Sequence, residues 1–414
     1  MSFLNEMKTK FYKEKYIYII LSLTLVIDAI TGIILNVFKF ERSPIGIVFR
    51  MFVFGYFLLY SILHNKKNLY TFAVIVICIM INIGYSYLNF HNSMNGVVFD
   101  IVENVKILLA PTIVWGSLCL AKDKVISRQT FTKVIYLSVY ILVAIYFLGL
   151  ILGIGNSTYG DGTGYKSLFN ANNSLNIVAI VLFIFQVEKT FKEVKIINIA
   201  LSLTLVIILL MLGSKTSIMF IPIYFILKVI LDYKYIDFKK IIKPASIIIG
   251  AVILIVVVFF RDAMISIINR QLYFLKRELD SLITYFLSGR DTFLIAASSN
   301  YFSRFTIVTV LFGVGMYFNQ WAIANTLGFN TIKNIEMDLF DIFFSNGVIG
   351  ILVTYGYFIY IFVKNFKMNL ANRRVAEIIS FIAMIIFSLL AGHVFPDAMS
   401  ATFIAMIVTL ICLE

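Results

Sequence analysis

Charge is scarce in this chain. Asp, Glu, Lys and Arg make up 14% of its 414 residues, against 61% hydrophobic residues. A water-soluble domain carries about 25% charged residues. The polar shell that a soluble fold needs is missing, so the bilayer must act as solvent. Cysteine is scarce too. Cys78, Cys119 and Cys412 stand in apolar runs at unrelated spacings, which suggests neither a disulfide framework nor a zinc site. A nucleotide fingerprint is lacking: Gly313-Val314-Gly315 has no preceding strand, third glycine or following helix. No His/Glu pair is spaced for a metal. Neither ATP nor a metal is implied. No signal-peptidase site follows the first apolar run, which reads as a retained anchor.

Acids are fewer than bases, 22 against 35, for a net charge of +13. In a soluble protein such an excess would raise nucleic acid as a partner. Here it fits the Lys and Arg that hold cytoplasmic loops inside, and no nucleic-acid role is implied.

Apolar runs near 16–36, 44–63, 69–88, 98–121, 134–153, 174–187, 196–212, 216–231, 245–260, 340–363, 375–392 and 399–413 read as membrane spans. The fourth carries Asp100, Glu103 and Lys106 against that reading. With the N-terminus inside, the inner loops hold most of the basic residues, including Lys122, Lys124, Arg128, Lys189, Lys192, Lys239, Lys240, Arg373 and Arg374. The short outer loops hold only Lys39, Arg42, Lys166 and Lys215. That asymmetry predicts an all-α integral membrane protein of roughly twelve spans with both termini inside. Residues 1–414 then form one membrane domain. The stretch 261–339 is its single long extracytoplasmic loop, free of proline and rich in aromatic and aliphatic residues. Residues 262–287 show apolar positions at helical spacing, which predicts an amphipathic helix. Residues 305–318 read as a re-entrant or surface helix.

Polar residues at a membrane face cost several kcal/mol unless paired or used. Gly213-Ser214-Lys215-Thr216-Ser217 forms a tight hairpin that presents one ammonium and several hydroxyls, suited to a phosphate. The plainer alternative is a snorkelling lysine in a polar turn. Tyr165-Lys166-Ser167-Leu168-Phe169-Asn170-Ala171-Asn172 leads into a helix. Asn170 and Asn172 could bond sugar hydroxyls, while Asn173 or Ser174 would cap the helix. Ser288-Gly289-Arg290-Asp291 displays an arginine beyond a helix-stopping glycine, and Arg304 follows in the same loop. Either arginine could grip a phosphate at two points, though Arg290 could equally pair with Asp291 or an anionic lipid. Glu336-Met337-Asp338, with Asp341, precedes a span containing Asn346-Gly347-Val348-Ile349-Gly350. These acids would be stabilised by a helix dipole or act as a general base. His393, near Pro396 and Asp397, is a weaker signal in the last short outer loop.

In their order these segments resemble the O-antigen ligase and polysaccharide repeat-unit polymerase superfamily. Lys166 to Asn172 resembles that family's basic residue followed by a Phe-Asn-x-Asn-like segment. Gly213-Ser214-Lys215-Thr216 resembles its Ser-Arg-Thr/Ser hairpin, with lysine for arginine. Ser288-Gly289-Arg290 and Leu311-Phe312-Gly313-Val314-Gly315 resemble two motifs of its long loop, and Glu336 to Gly350 resembles its last motif. The resemblance covers about residues 160 to 363. Ligases of the family carry a histidine-asparagine pair where this chain has Glu336-Met337-Asp338, so the departure points toward polymerases.

The resemblance implies a membrane-embedded glycosyltransferase fold of the GT-C-like kind in the bacterial cytoplasmic membrane. It implies no metal, nucleotide sugar or other cofactor. The substrates would be undecaprenyl-diphosphate-linked oligosaccharides of O-antigen or capsule. A flippase and a chain-length regulator would be the protein partners beside it. Arg290, Lys215 and Lys166, with Arg304 in reserve, would stabilise the leaving diphosphate. Asn170 would assist binding, and Glu336, then Asp338, would be the base. A ligase with another acceptor and a non-enzymatic flippase or transporter remain the alternatives; a transporter predicts inverted repeats and broken helices near the midplane.

Overall fold

The computed structural model describes residues 12–40, 43–90, 92–232, 250, 261–277 and 282–413. The span expected near 245–260 lies outside them. The described chain is helical apart from one two-stranded antiparallel hairpin.

The first five helices are α1 (Glu14–Asn36), α2 (Pro44–His64), α3 (Lys66–Asn89), α4 (Met94–Lys122) and α5 (Arg128–Leu152). The hairpin β1 (Asn156–Ser157) and β2 (Tyr165–Ser167) leads to α6 (Asn172–Lys192), α7 (Ile196–Met211) and α8 (Lys215–Asp232). Next come five helices within 261–339: α9 (Arg261–Arg277), α10 (Leu282–Leu287), α11 (Arg290–Phe302), α12 (Ile307–Phe312) and α13 (Met316–Leu327). Then α14 (Asp338–Ile351) passes through a π turn at Leu352–Gly356 into α15 (Tyr357–Ala371), before α16 (Val375–Leu390) and α17 (Ala398–Cys412).

Among the described residues six helices are long and apolar enough to cross a membrane: α1, α2, α3, α5, α6 and the continuous α14–α15. Three shorter apolar helices, α7, α16 and α17, accompany them. The expected fourth span is the 29-residue α4, which is longer than any of the first three but is not among the six.

Apolarity alone does not decide which helices sit inside, because in a bilayer an apolar face can meet lipid. Helices α6 and α17 bury nearly their whole length, whereas most of the equally apolar α3 faces outward and buries only Asn82 and Ser86. Phe169, Phe183, Phe358 and Phe403 fill this core. Ion pairs close one end of the bundle. Lys228 of α8 bonds Glu188 of α6 at 2.8 Å and Asp232 at 2.9 Å, and Tyr224 bonds the other Glu188 oxygen at 2.8 Å. Arg128 pairs with Glu377 and donates to the Leu410 carbonyl at the end of α17. Removing one partner of such a buried pair is strongly destabilising, because a lone charge stays behind.

The segment read as re-entrant, 305–318, is helix α12, a glycine turn and the start of α13. The turn lies against a break in α14. Gly347 has φ 65° and ψ −163° inside that helix. The Val314 amide donates to the Phe344 carbonyl at 2.9 Å, and the Gly315 amide to the Ser345 carbonyl at 3.0 Å. A Cβ on Gly313 would lie 2.3 Å from the Ser345 carbonyl carbon, and one on Gly347 would lie 2.4 Å from the Leu311 oxygen. Only glycine permits this backbone-to-backbone approach. Asn82 of α3 bridges the two segments, donating to the carbonyls of Phe312 at 2.5 Å and Ser345 at 2.8 Å. Helix α13 has Gly315 at its N-cap and no cap of its own. Buried Asp100 of α4 supplies one, accepting from the Tyr317 amide at 2.6 Å. The charge that argued against this span thus serves the fold.

Candidate functional site

At the end of the bundle opposite those ion pairs, the α7–α8 turn, the start of α11 and the loops before α14 and α17 come together. Gly213 turns left-handed at φ 66° and lets α8 begin at Lys215. The Lys215 ammonium lies 3.6 Å from the Tyr285 ring centroid, bonds the Tyr285 carbonyl at 2.5 Å and reaches Ser288 Oγ at 3.5 Å. Ser288 and Gly289 are also left-handed, at φ 57° and 80°. They swing Arg290 to the first position of α11. Its guanidinium donates to the Leu287 carbonyl at 3.2 Å and to Glu336 at 2.8 Å, while its buried Nε has no partner. Arg290 therefore pairs with Glu336. Asp291, the alternative, takes the Thr284 hydroxyl at 2.5 Å.

Glu336 and His393 both adopt left-handed backbone, at φ 62° and 64°. Such strain in bulky residues persists only where the surroundings enforce it, and it clusters at functional sites. Two carboxylates enforce it here, one buried and one partly buried. Asp341 accepts from the amides of Ile335 at 3.0 Å and Met337 at 3.2 Å, on either side of Glu336. Asp338 accepts from the amides of His393 at 2.6 Å, Val394 at 2.7 Å and Phe395 at 3.0 Å. His393 Nε2 then lies 3.8 Å from Glu336 Oε1.

The electrostatics follow from this cluster. Burial pushes the Glu336 carboxyl up, but nearby His393 and Arg290 outweigh it and hold the group at about 2. Burial pushes the His393 imidazole down, but Glu336 and Asp338 outweigh it and raise it to about 9. At neutral pH the trio is guanidinium, carboxylate and imidazolium.

Two spaces meet at Arg290. One is a polar cavity of about 660 Å³, lined by Arg290, Glu336, His393, Arg50, Lys106 and Lys333 among others. The other is an apolar groove of about 310 Å³ between α6, α8 and α16. Lys215, Ser288 and Arg290 sit at its polar mouth, and Leu227 and Ile382 lie among its apolar walls. From Lys215 to Leu227 the groove follows α8 for about 18 Å, over half the ~30 Å hydrocarbon thickness of a bilayer. Ser288 and Arg290 line both spaces.

The structure thus brings together Lys215, Arg290 and Glu336. It places the other expected site residues elsewhere. The Lys166 ammonium is spent on the Asn170 carbonyl at 2.7 Å, and the Asn170 side chain faces Asn36 at 3.4 Å. Neither lines the cavity or the groove. Arg304 bonds the Asn300 carbonyl at 2.9 Å and stacks 5.1 Å from the Phe318 ring, which is a packing role. Asp338 is 1% exposed, and both its oxygens accept from backbone amides of the His393 loop, which it holds in place. Helix α6 starts at Asn172 without a side-chain cap. Asn173, expected as a cap, donates instead to the Ala391 carbonyl at 3.0 Å.

Sequence reasoning underrated His393. Its signal was an ionisable residue, with Asp397, in a short loop between apolar runs. The chamber residues Arg50, Lys106 and Lys333 gave none beyond their charge. Among the described residues no group of three or more His, Cys, Asp or Glu is placed to hold a metal ion. The fold and site together define an all-α, membrane-type helical protein with a charged site at one end of its bundle. Comparison with protein-family models, with curated proteins and with solved structures finds no match to this chain.

Proposed function

We propose that this protein polymerises lipid-linked oligosaccharide repeat units on the extracytoplasmic side of a bacterial cytoplasmic membrane. The observation that carries the reading is the position of Arg290 and Ser288, shared by an apolar groove and a polar cavity, with Lys215 beside them. A polyprenyl-diphosphate sugar has the same three-part chemistry: an apolar tail, two phosphates and a hydroxylated head. The tail fits along α8 and α16, the diphosphate meets Lys215 and Arg290, and the sugars enter the polar cavity.

In the reaction an acceptor sugar hydroxyl forms a bond to the donor anomeric carbon. The bond from that carbon to the diphosphate oxygen breaks, and its electron pair leaves with the diphosphate. The hydroxyl proton passes to Glu336. Fixed cations aimed at a leaving group stabilise the transition state, and Arg290, Lys215 and the His393 imidazolium are those cations. Roughly twelve spans with both termini cytoplasmic would put this end of the bundle outside, consistent with the distribution of Lys and Arg.

The break in α14 at Gly347, with Asn82, Asn104 and Asn346 around it, favours a second reading. Broken helices with polar linings are a feature of transporters. Against that reading, the charged cluster lies at the bundle end and not at the break. A test separates the two. Arg290→Ala and Lys215→Ala, expressed at normal levels, should each abolish polymer while single lipid-linked units still reach the outer leaflet. A transporter would strand those units on the inner leaflet. Full-length polymer from both variants would remove the proposed site.

A further inference from the structure

We infer that Arg290 and Glu336 form a latch, in which the donor's diphosphate and the Glu336 carboxylate compete for one guanidinium and donor binding frees the carboxylate to act as base. The inference rests on the diphosphate site proposed above and adds to it an order of events.

Arg290 makes two visible bonds. The one to the Leu287 carbonyl, 3.2 Å, anchors the side chain to its own loop. The one to Glu336, 2.8 Å, is to a group that can move away. The Glu336 side chain is 44% exposed, against 14% for Arg290. Glu336 thus has space to leave and Arg290 does not. A two-point grip on a phosphate uses Nη2, whose two N–H groups would then be shared between the phosphate and the Glu336 carboxylate. A phosphate placed there faces Glu336 with like charge at short range, and two anions in one site repel strongly. The incoming diphosphate therefore displaces the carboxylate.

The displaced group still has a neighbour. Its other oxygen faces His393 Nε2 at 3.8 Å, so it turns toward the polar cavity and is not lost to bulk water. In the latched state it is a poor base, because His393 first and Arg290 second hold the carboxyl near 2; release from Arg290 removes the second cause, while His393 stays. Loss of the guanidinium and arrival of the diphosphate both favour proton uptake. An acceptor that reaches an empty site meets a carboxylate whose charge is already used.

The test is binding of undecaprenyl diphosphate to the purified full-length protein in lipid nanodiscs. Glu336→Gln removes the competitor and should bind about fivefold tighter than wild type, the ratio that corresponds to an ion pair worth ~1 kcal/mol. Arg290→Gln should bind more weakly. In the double variant the gain from Glu336→Gln should vanish, since the cycle isolates the coupling between the two side chains. If Glu336→Gln does not fold, Glu336→Asp, one methylene shorter, should give the same direction with a smaller gain. Equal or weaker binding by the glutamine variant, or a gain that survives in the Arg290→Gln background, overturns the latch while leaving the diphosphate site standing. Binding that ignores both Arg290→Gln and Lys215→Met overturns the diphosphate site itself.

Discussion

The carboxylate of Asp338 holds the backbone of His393, 55 residues away, by accepting a hydrogen bond from its amide at 2.6 Å and from the amides of Val394 and Phe395 at 2.7 and 3.0 Å. One residue earlier in the same helix start, Met337 caps the helix, and before it Glu336 faces the cavity. Two acids two positions apart thus have separate surroundings: Asp338 is spent on backbone amides, and Glu336 lines the polar cavity, where the proposed reaction uses it as base.

Their substitutions should separate accordingly. Asp338→Asn sets an amide against three backbone donors. Hydrogen bonds to charged groups are worth about 1.5–3 kcal/mol. The variant should melt at a clearly lower temperature in detergent and lose activity in step with folded protein. Glu336→Gln gives up its ion pairs with Arg290 and His393 and should melt somewhat lower, yet its loss in polymerisation should be 10²–10⁴-fold per folded molecule, the usual contribution of a general base. An Asp338→Asn protein that melts normally but makes no polymer would return the acid–base role to Asp338.

Lys215 gives a second contrast. Its ammonium sits over the Tyr285 ring and against that residue's carbonyl. An arginine can keep both contacts. Lys215→Arg should retain most activity, whereas Lys215→Met should lose one to two orders of magnitude in rate, equivalent to one charge-assisted contact. Equal activity in both variants would reduce Lys215 to a snorkelling side chain.

The Glu336–His393 pair should make stability depend on pH in two windows. The Glu336 carboxyl is depressed from 4.5 to about 2, because His393 and Arg290 outweigh burial. Its contribution is full above pH 4.5 and is lost as pH falls through about 2. The His393 imidazole is raised from 6.5 to about 9, because Glu336 and Asp338 outweigh burial. Its contribution is full below pH 6.5 and is lost as pH rises through about 9. Melting temperature against pH should therefore slope downward across the alkaline window, and His393→Gln should flatten that slope alone. An unchanged alkaline slope in His393→Gln would show that another group titrates there.

Topology can be checked with single cysteines in a background lacking Cys78, Cys119 and Cys412. Lys276→Cys, on the helix whose Arg270 bonds Asp161 at 2.7 Å near the site, should react with an impermeant thiol reagent in intact cells. Lys122→Cys, at the other end of α4, should not. The reverse pattern would place the site in the cytoplasm and remove the polymerase reading.

Much of this was legible before any coordinates. Long apolar runs in a chain this poor in charge mark helices directly, and α1, α2, α3, α5 and α6 begin and end close to those runs. The grouping of Lys215, Arg290 and Glu336 followed from order and charge. The failures have a common cause. Lys166 and Asn170 looked like ligand groups because both are polar in a short loop, but the Lys166 ammonium bonds the Asn170 carbonyl and the Asn170 side chain takes Asn36. The sequence offered both Glu336 and Asp338 as the base, in that order, and only the helix start, at Asp338, decides which one points into the backbone of the last loop. The role of His393 depends on a carboxylate 55 residues away gripping its main chain, a contact with no periodicity or motif to announce it.

The capping of α13 by Asp100 bears on how the protein is made. The bond from the Tyr317 amide spans 217 residues of chain. A ribosome delivers α4 before α13, so until that helix arrives the carboxylate has the Asn92 amide, at 3.2 Å, as its side-chain partner. A charged group in a membrane protein that is short of partners is costly. Arrival of α13 relieves that cost, so one carboxylate ties an early helix to one made much later in synthesis.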